Sequence, residues 1–124
     1  MENEEFSRVA PSEHTITIKG KKRRIKFGNY ALAQVEKKYG SLKNFNQLQS
    51  DMSEKPMATL PWLLSITCLD KEGIDNLTGD ELFVIMDEEN ISIRELMEVI
   101  AEAMNDSMSN LGGNGGKKKA MKKN

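Results

Sequence analysis

Two short runs near the start of the chain alternate strictly between apolar and polar residues. They are Thr15-Ile16-Thr17-Ile18-Lys19 and Arg23-Arg24-Ile25-Lys26-Phe27, with Gly20-Lys21-Lys22 between them. A period of two is typical of half-buried strands, and a glycine turn between two such runs predicts a β-hairpin. The threonine, lysine and arginine side chains are expected to face water. The residues expected on the buried face are Ile16, Ile18, Ile25 and Phe27.

Past Gly28 the apolar residues recur about every 3.6 positions, which predicts helices. The first helix is expected to have Asn29 as its N-cap and to end at Gly40. Its inward residues are Leu32, Val35 and Tyr39, with Ala31 and Ala33 beside them. Ser41 is expected to cap a shorter helix, whose inward residues are Leu42, Phe45, Leu48 and Met52.

The most apolar stretch of the chain, residues 60–69, predicts a central helix that is apolar all round. A polar connection over residues 51–56 is expected before it. Pro61 is expected in its first turn, where the missing N–H of proline has no intrahelical partner. Residues 70–77 are predicted to be a loop, with Gly73 as the helix stop.

Two later helix starts carry the signature of a capping box, in which a hydroxyl and a glutamate three residues later satisfy unpaired amides. They are Thr78-Gly79-Asp80-Glu81 and Ser92-Ile93-Arg94-Glu95. The apolar residues after the first box are Leu82, Ile85 and Met86. The second box precedes an amphipathic helix, whose apolar stripe is Ile93, Leu96, Met97, Ile100 and Met104.

Together these elements predict one α+β domain over residues 14–106, mainly α-helical. Its N-terminal β-hairpin is expected to pack on a bundle of about four or five helices. Residues 1–13 are polar and residues 107–124 are rich in Gly and Lys, so disordered termini are expected. A chain of 124 residues can bury a core without disulfides.

The formal net charge of -1 hides a strong segregation of charge along the chain. Residues 1–40 carry +4, residues 41–111 carry -10 and residues 112–124 carry +5. The basic hairpin is a candidate for contact with nucleic-acid phosphates, but its cations alternate between two faces and no aromatic platform lies among them. We interpret them as a solvated face and do not expect nucleic acid as the main partner.

Candidate catalytic and metal-ligating residues are few. His14 and Cys68 each lack the partner set that nucleophilic or acid–base catalysis needs. Asp70 and Glu81 have the spacing of the first and last ligands of an EF-hand loop, but Asp75 stands where that loop needs its glycine. We therefore expect no catalytic residue, no cofactor and no metal site.

Several of these stretches follow one another in an order known from a protein family. A strand, a glycine turn and a second strand lead through Phe27-Gly28 into a helix that ends in Glu36-Lys37-Lys38-Tyr39-Gly40. An apolar helix over residues 62–69, an acidic loop and Leu77-Thr78-Gly79-Asp80-Glu81-Leu82 come next. In this order residues 14–105 resemble the tail assembly chaperones of long-tailed (siphovirus-like) bacteriophages.

The resemblance implies a protein that is not an enzyme, is made in the host bacterial cytoplasm and is absent from the mature virion. Such a protein binds the tape measure protein and helps to recruit tail tube protein around it. The acidic start of the chain and the lack of a long apolar run predict neither a secretory signal nor a membrane partner. Whether it forms a homo-oligomer is left open.

Many relatives in that family are made in two forms through programmed ribosomal frameshifting. Gly115-Gly116-Lys117-Lys118-Lys119 can be encoded by a homopolymeric heptamer on which a ribosome can slip. We hypothesise that this chain is the short product and that its longer frameshifted form is a partner. The alternative function is a small basic-arm nucleic-acid-binding or regulatory module, which binding that weakens steeply with salt would favour.

Overall fold

The β-hairpin forms where the alternating pattern predicts it. The computed structural model describes residues 13–112, and strands β1 (His14–Ile18) and β2 (Lys21–Ile25) pair in antiparallel fashion at its start. Lys19 and Gly20 connect the strands with φ angles of 57° and 72°. Two left-handed residues suit the right-handed twist of a hairpin, so the turn needs two residues and not the three expected.

Within the described residues five helices follow the hairpin, and the predicted α+β, mainly helical fold is confirmed. A 3₁₀ turn (Leu42–Asn44) lies between the first two helices. The last helix continues past residue 106, where the sequence pattern ends. The prediction of a disordered tail over residues 107–124 is therefore wrong for residues 107–112, which are helical. The rest of that tail, and residues 1–12 of the predicted disordered arm 1–13, lie outside the described residues. The helices are α1 (Asn29–Tyr39), α2 (Phe45–Glu54), α3 (Pro56–Thr67), α4 (Gly79–Glu88) and α5 (Ile93–Gly112).

Helix α3 is the centre of the core, as its apolar composition predicts. It packs against α1, α2, α4 and α5, and Leu60 and Leu63 are fully buried in it. The hairpin lays its apolar face on this bundle, with β1 against α5. All four apolar hairpin residues expected inside are buried, namely Ile16, Ile18, Ile25 and Phe27.

The same hairpin face also buries Arg23, which corrects the expectation that every hairpin cation faces water. Its side chain is 2% exposed. Nε donates to the carbonyl of Ile18 at 2.9 Å, and Nη1 donates to the carbonyls of Asp70 at 2.9 Å and Glu72 at 2.6 Å. A guanidinium can be buried when its donors find acceptors, and three carbonyls supply them here.

The junction before α3 also differs from the prediction. Helix α2 runs to Glu54 and α3 begins at Pro56, so the expected polar connection is reduced to Lys55. Pro56 occupies the first turn, which is the position expected for Pro61, and Pro61 lies inside the helix. Proline is tolerated in the first turn of a helix, and either Pro56 or Pro61 could occupy that position. The sequence pattern therefore does not distinguish between them.

The end of α3 lies earlier than predicted. The helix stops at Thr67, and Cys68 takes an extended conformation opposite Ile25 of β2. Gly73 is therefore not the helix stop; its φ of 87° belongs to a turn within the loop. Pairing with β2 ends the helix in place of a glycine cap.

Most predicted helix caps are present. Gly40 ends α1 with a φ of 85°. Ser41 caps the 3₁₀ turn, where it accepts a hydrogen bond from the Lys43 amide, but the N-cap of α2 is Asn44 and not Ser41 as expected. At Thr78 both bonds of the capping box form, at 3.1 and 2.9 Å. At Ser92 one bond of the box is present, from the Glu95 amide to the hydroxyl at 3.0 Å.

Two further expectations near these caps are wrong. Gly28, not Asn29, is the N-cap of α1, and it makes no side-chain cap bond. Leu42, which was expected to point inward, is exposed because the 3₁₀ turn displaces it from the stripe of α2.

Tyr39 joins three helices. Its hydroxyl donates to Asp51 Oδ2 of α2 at 2.8 Å, and its ring meets the Trp62 ring of α3 edge-on, with 6.3 Å between centroids. Burial and the bond to the Asp51 carboxylate raise the pKa of Tyr39 to about 12. The same hydrogen bond, with a second from Gln47, lowers the pKa of Asp51.

Replacing the buried arginine by a residue of similar length is expected to destabilise the fold. Arg23→Met removes every donor to the three carbonyls and should lower the free energy of unfolding by about 2–4 kcal/mol. The matched control is Arg24→Met on the exposed face of the same strand, which should have a clearly smaller effect. Urea denaturation measures both, and equal losses would contradict the role given to Arg23.

The alkaline titration of Tyr39 tests the three-helix junction. The chain has two tyrosines, so Tyr30→Phe leaves Tyr39 alone, and tyrosinate absorbance should report a midpoint near pH 12. A raised pKa stabilises the fold fully below about pH 10 and less as the pH rises towards 12. Adding Asp51→Asn should lower the midpoint, whereas an unchanged midpoint would show that Asp51 has no part in it.

Candidate binding groove

Two apolar cavities lie side by side where the loop after α3 crosses the end of that helix. The first has a volume of about 390 Å³ and the second of about 120 Å³, and Cys68 and Lys71 line both. We call the pair the Lys71 groove. Apolar residues of the first cavity are Tyr30, Ala31, Ile66 and Leu69. Those of the second are Pro61, Leu64, Ile74, Leu77 and Leu82.

A short extension of the β-sheet positions the first cavity. The amide of Lys26 donates to the Thr67 carbonyl and the amide of Leu69 donates to the Arg24 carbonyl, each at 2.8 Å. Residues 67–69 therefore run beside β2 like a third strand, in which alternate side chains face opposite ways. Cys68 consequently points into the core, while Leu69 is 51% exposed beside Tyr30, which is 61% exposed.

Asp70 lies next to the groove, but its charge is used within the fold. The backbone amide, Nε and Nη2 of Arg24 all donate to its carboxylate, each at 2.9 Å. These hydrogen bonds and the arginine charge hold the pKa of Asp70 far below its usual range. The Glu81 carboxylate accepts a hydrogen bond in the capping box of Thr78. Asp70 and Glu81, which have the spacing of the first and last ligands of an EF-hand loop, therefore both have partners within the protein.

Lys71 carries the positive charge between the two cavities. Its Nζ donates to the Ser65 carbonyl at 3.1 Å and lies 5.9 Å from the centre of the Tyr30 ring. Lys26 borders the first cavity. Within residues 13–112, neither ammonium forms an ion pair with a carboxylate. The first cavity is thus lined by two lysines and no carboxylate, whereas Asp75 lies beside Lys71 in the lining of the second. This positive charge contrasts with residues 41–111 as a whole, which carry -10.

The two candidate nucleophiles are not brought together. Cys68 follows α3, which corrects the expectation that it lies inside a helix. Its Sγ donates to the Asp70 carbonyl at 3.3 Å. Burial raises the pKa of the Cys68 thiol, which keeps it protonated and weakly nucleophilic. His14 lies by a different cavity, where Nε2 bonds to Asp106 and Nδ1 lies 3.6 Å from Glu102 Oε1. It joins β1 to α5.

No constellation of metal ligands appears in the part of the chain that the structure describes. Groups of three or more His, Cys, Asp or Glu side chains that could hold a metal ion are absent from it. That the chain has no catalytic residue and no cofactor stays a prediction.

The hairpin cations are divided between the fold and the solvent. Lys21 pairs with Glu72 at 2.7 Å, Arg24 pairs with Asp70, and Arg23 is buried. The ion pair with Lys21 lowers the pKa of Glu72. These internal partners leave fewer hairpin cations for contact with phosphates than the sequence suggests.

The groove was not predicted, although the sequence carries faint signals of it. Tyr30 lies off the inward stripe of α1, and Leu69 is the last apolar residue of the run over residues 60–69, which overlaps the second half of α3. Neither position says that the two residues meet. Their meeting depends on the pairing of Ile25 with Cys68, which has no local sequence signature.

Comparison of the chain with protein-family models, with curated proteins and with solved structures found no match. In residues 13–112, no helix has the length and apolar character that crossing a membrane requires.

Proposed function

We propose that this protein is a tail assembly chaperone of a long-tailed bacteriophage. It binds the tape measure protein in the host cytoplasm, helps to recruit tail tube protein and does not remain in the virion. One observation carries the proposal: the motif that resembles this family lines the groove. Residues 28–31 follow Phe27 and form one wall of the first cavity.

The dimensions of the groove suit this task. A small, partly apolar surface gives weak binding, because only a few side chains are desolvated. Many weakly bound copies can protect a long chain and still leave as tube subunits polymerise along it. A tight binder would block the assembly that it serves.

Binding to the tape measure protein tests the proposal directly. The chain should copurify with one or more fragments that tile the tape measure protein of the same phage. The complex should weaken only slightly at high salt and should persist after residues 113–124 are deleted, because apolar contacts are not screened. Failure to bind any fragment, together with salt-sensitive binding to an arbitrary DNA duplex, would favour the nucleic-acid-binding alternative.

The longer form is part of the proposal and has its own test at the level of the gene. Residues 115–119 lie outside the described structure, so the frameshifting hypothesis is tested through the codons that encode them. Expression of the native gene should give the 124-residue product and a minor longer one. Synonymous codons that break the homopolymeric run should abolish only the longer product. Codons that are not homopolymeric, or a closed downstream frame, would contradict frameshifting.

A further inference from the structure

The Lys71 groove combines apolar cavities with a fixed positive charge between them. Resting on the proposed function, we propose that this groove is the surface that holds the tape measure protein. The segment it takes carries a carboxylate between two apolar side chains. The carboxylate binds the Lys71 ammonium, and the two apolar side chains enter the cavities on either side of it.

Exposed apolar surface marks the first half of the site. Tyr30 and Leu69 are large apolar side chains that are more than half exposed and line the same cavity. Ile66 forms part of the same lining. Aromatic and aliphatic side chains that water reaches in this way gain most from being covered by a partner.

The second half of the site is narrower. Its volume of about 120 Å³ is close to the cavity of about 150 Å³ that can hold a benzene molecule. Leu64, Leu77 and Leu82 line it, so it suits a small aliphatic side chain. The unequal volumes give the groove a direction, with the larger side chain of the partner at Tyr30.

Charge selects the carboxylate. Lys71 is held in place by the Ser65 carbonyl and the face of Tyr30, and Lys26 adds a second cation at the rim. The Asp70 carboxylate is satisfied by Arg24 and does not compete. Asp75 lines only the second cavity, so the partner carboxylate is expected on the side of the first, where Lys71 and Lys26 meet without a carboxylate in the lining. A continuous polyanion would meet the acidic body around the groove, whereas one carboxylate in an apolar segment would not.

Affinity measurements on surface variants test the site. The probe is the tape measure fragment that copurifies most strongly, titrated calorimetrically into the full chain. Tyr30→Ser with Leu69→Ser should weaken binding at least about 10-fold. The control is Met57→Ser with Val84→Ser, whose side chains are 57% and 56% exposed elsewhere; it should change affinity less than about 2-fold.

A charge exchange tests the proposed carboxylate. Lys71→Glu should weaken binding about 10-fold, whereas Lys37→Glu on the exposed face of α1 should have little effect. Replacing the partner carboxylate by lysine should restore binding to Lys71→Glu and weaken binding to the original chain. Urea midpoints measured on each variant separate a lost contact from a lost fold.

Failure of the groove assignment and failure of the proposed function give different experimental results. If the original chain binds the fragment and the groove variants bind it equally well, the groove assignment is wrong and the proposed function stands. If no fragment binds at all, the proposed function fails and this inference fails with it. If the groove variants alter self-association alone, or matter only while residues 1–12 are present, the occupant is a second copy or the chain's own acidic segment, and the assignment is again wrong.

Discussion

The guanidinium of Arg23 holds the loop after α3 against the β-hairpin, and the positions of the groove residues follow from that attachment. Its donors reach one carbonyl in the hairpin and two in the loop, at Asp70 and Glu72. Leu69 and Lys71 flank Asp70 in the chain, so both are placed by the same bonds. Arg24 binds the Asp70 carboxylate from the opposite face of the strand. The two neighbouring arginines thus both hold the loop after α3, Arg23 from the buried face of β2 and Arg24 from its exposed face.

Local chemistry accounts for the parts of the fold that the sequence predicts. The alternating pattern predicts the hairpin, and the capping-box motif predicts the start of α4. Both predictions succeed because each signal lies within a few residues of the element that it specifies. Arg23 shows the limit of such signals. Its place in the alternation is that of a buried residue, but its type favours water. Two of the three acceptors that allow its burial are 47 and 49 residues away.

The groove depends almost wholly on distant contacts. Tyr30 comes from α1, Leu69 and Lys71 from the loop, and the short pairing of Ile25 with Cys68 brings them together. The expectation for Cys68 and His14 rested on residue counts alone, since a single residue of each type leaves few arrangements. A binding surface, by contrast, can be built from any of the chain's many apolar residues. Composition does not indicate which of them stay exposed.

The bond between His14 and Asp106 has a topological meaning for the domain. It joins the first strand to the last helix, so the path of the chain through the fold is almost a closed ring. Residues 107–112 extend the helix by about 9 Å beyond this point. His14 and Asp106 therefore lie side by side close to the two ends of the described part of the chain. A peptide linker between those ends would allow new ends to be opened elsewhere, as in a circular permutant.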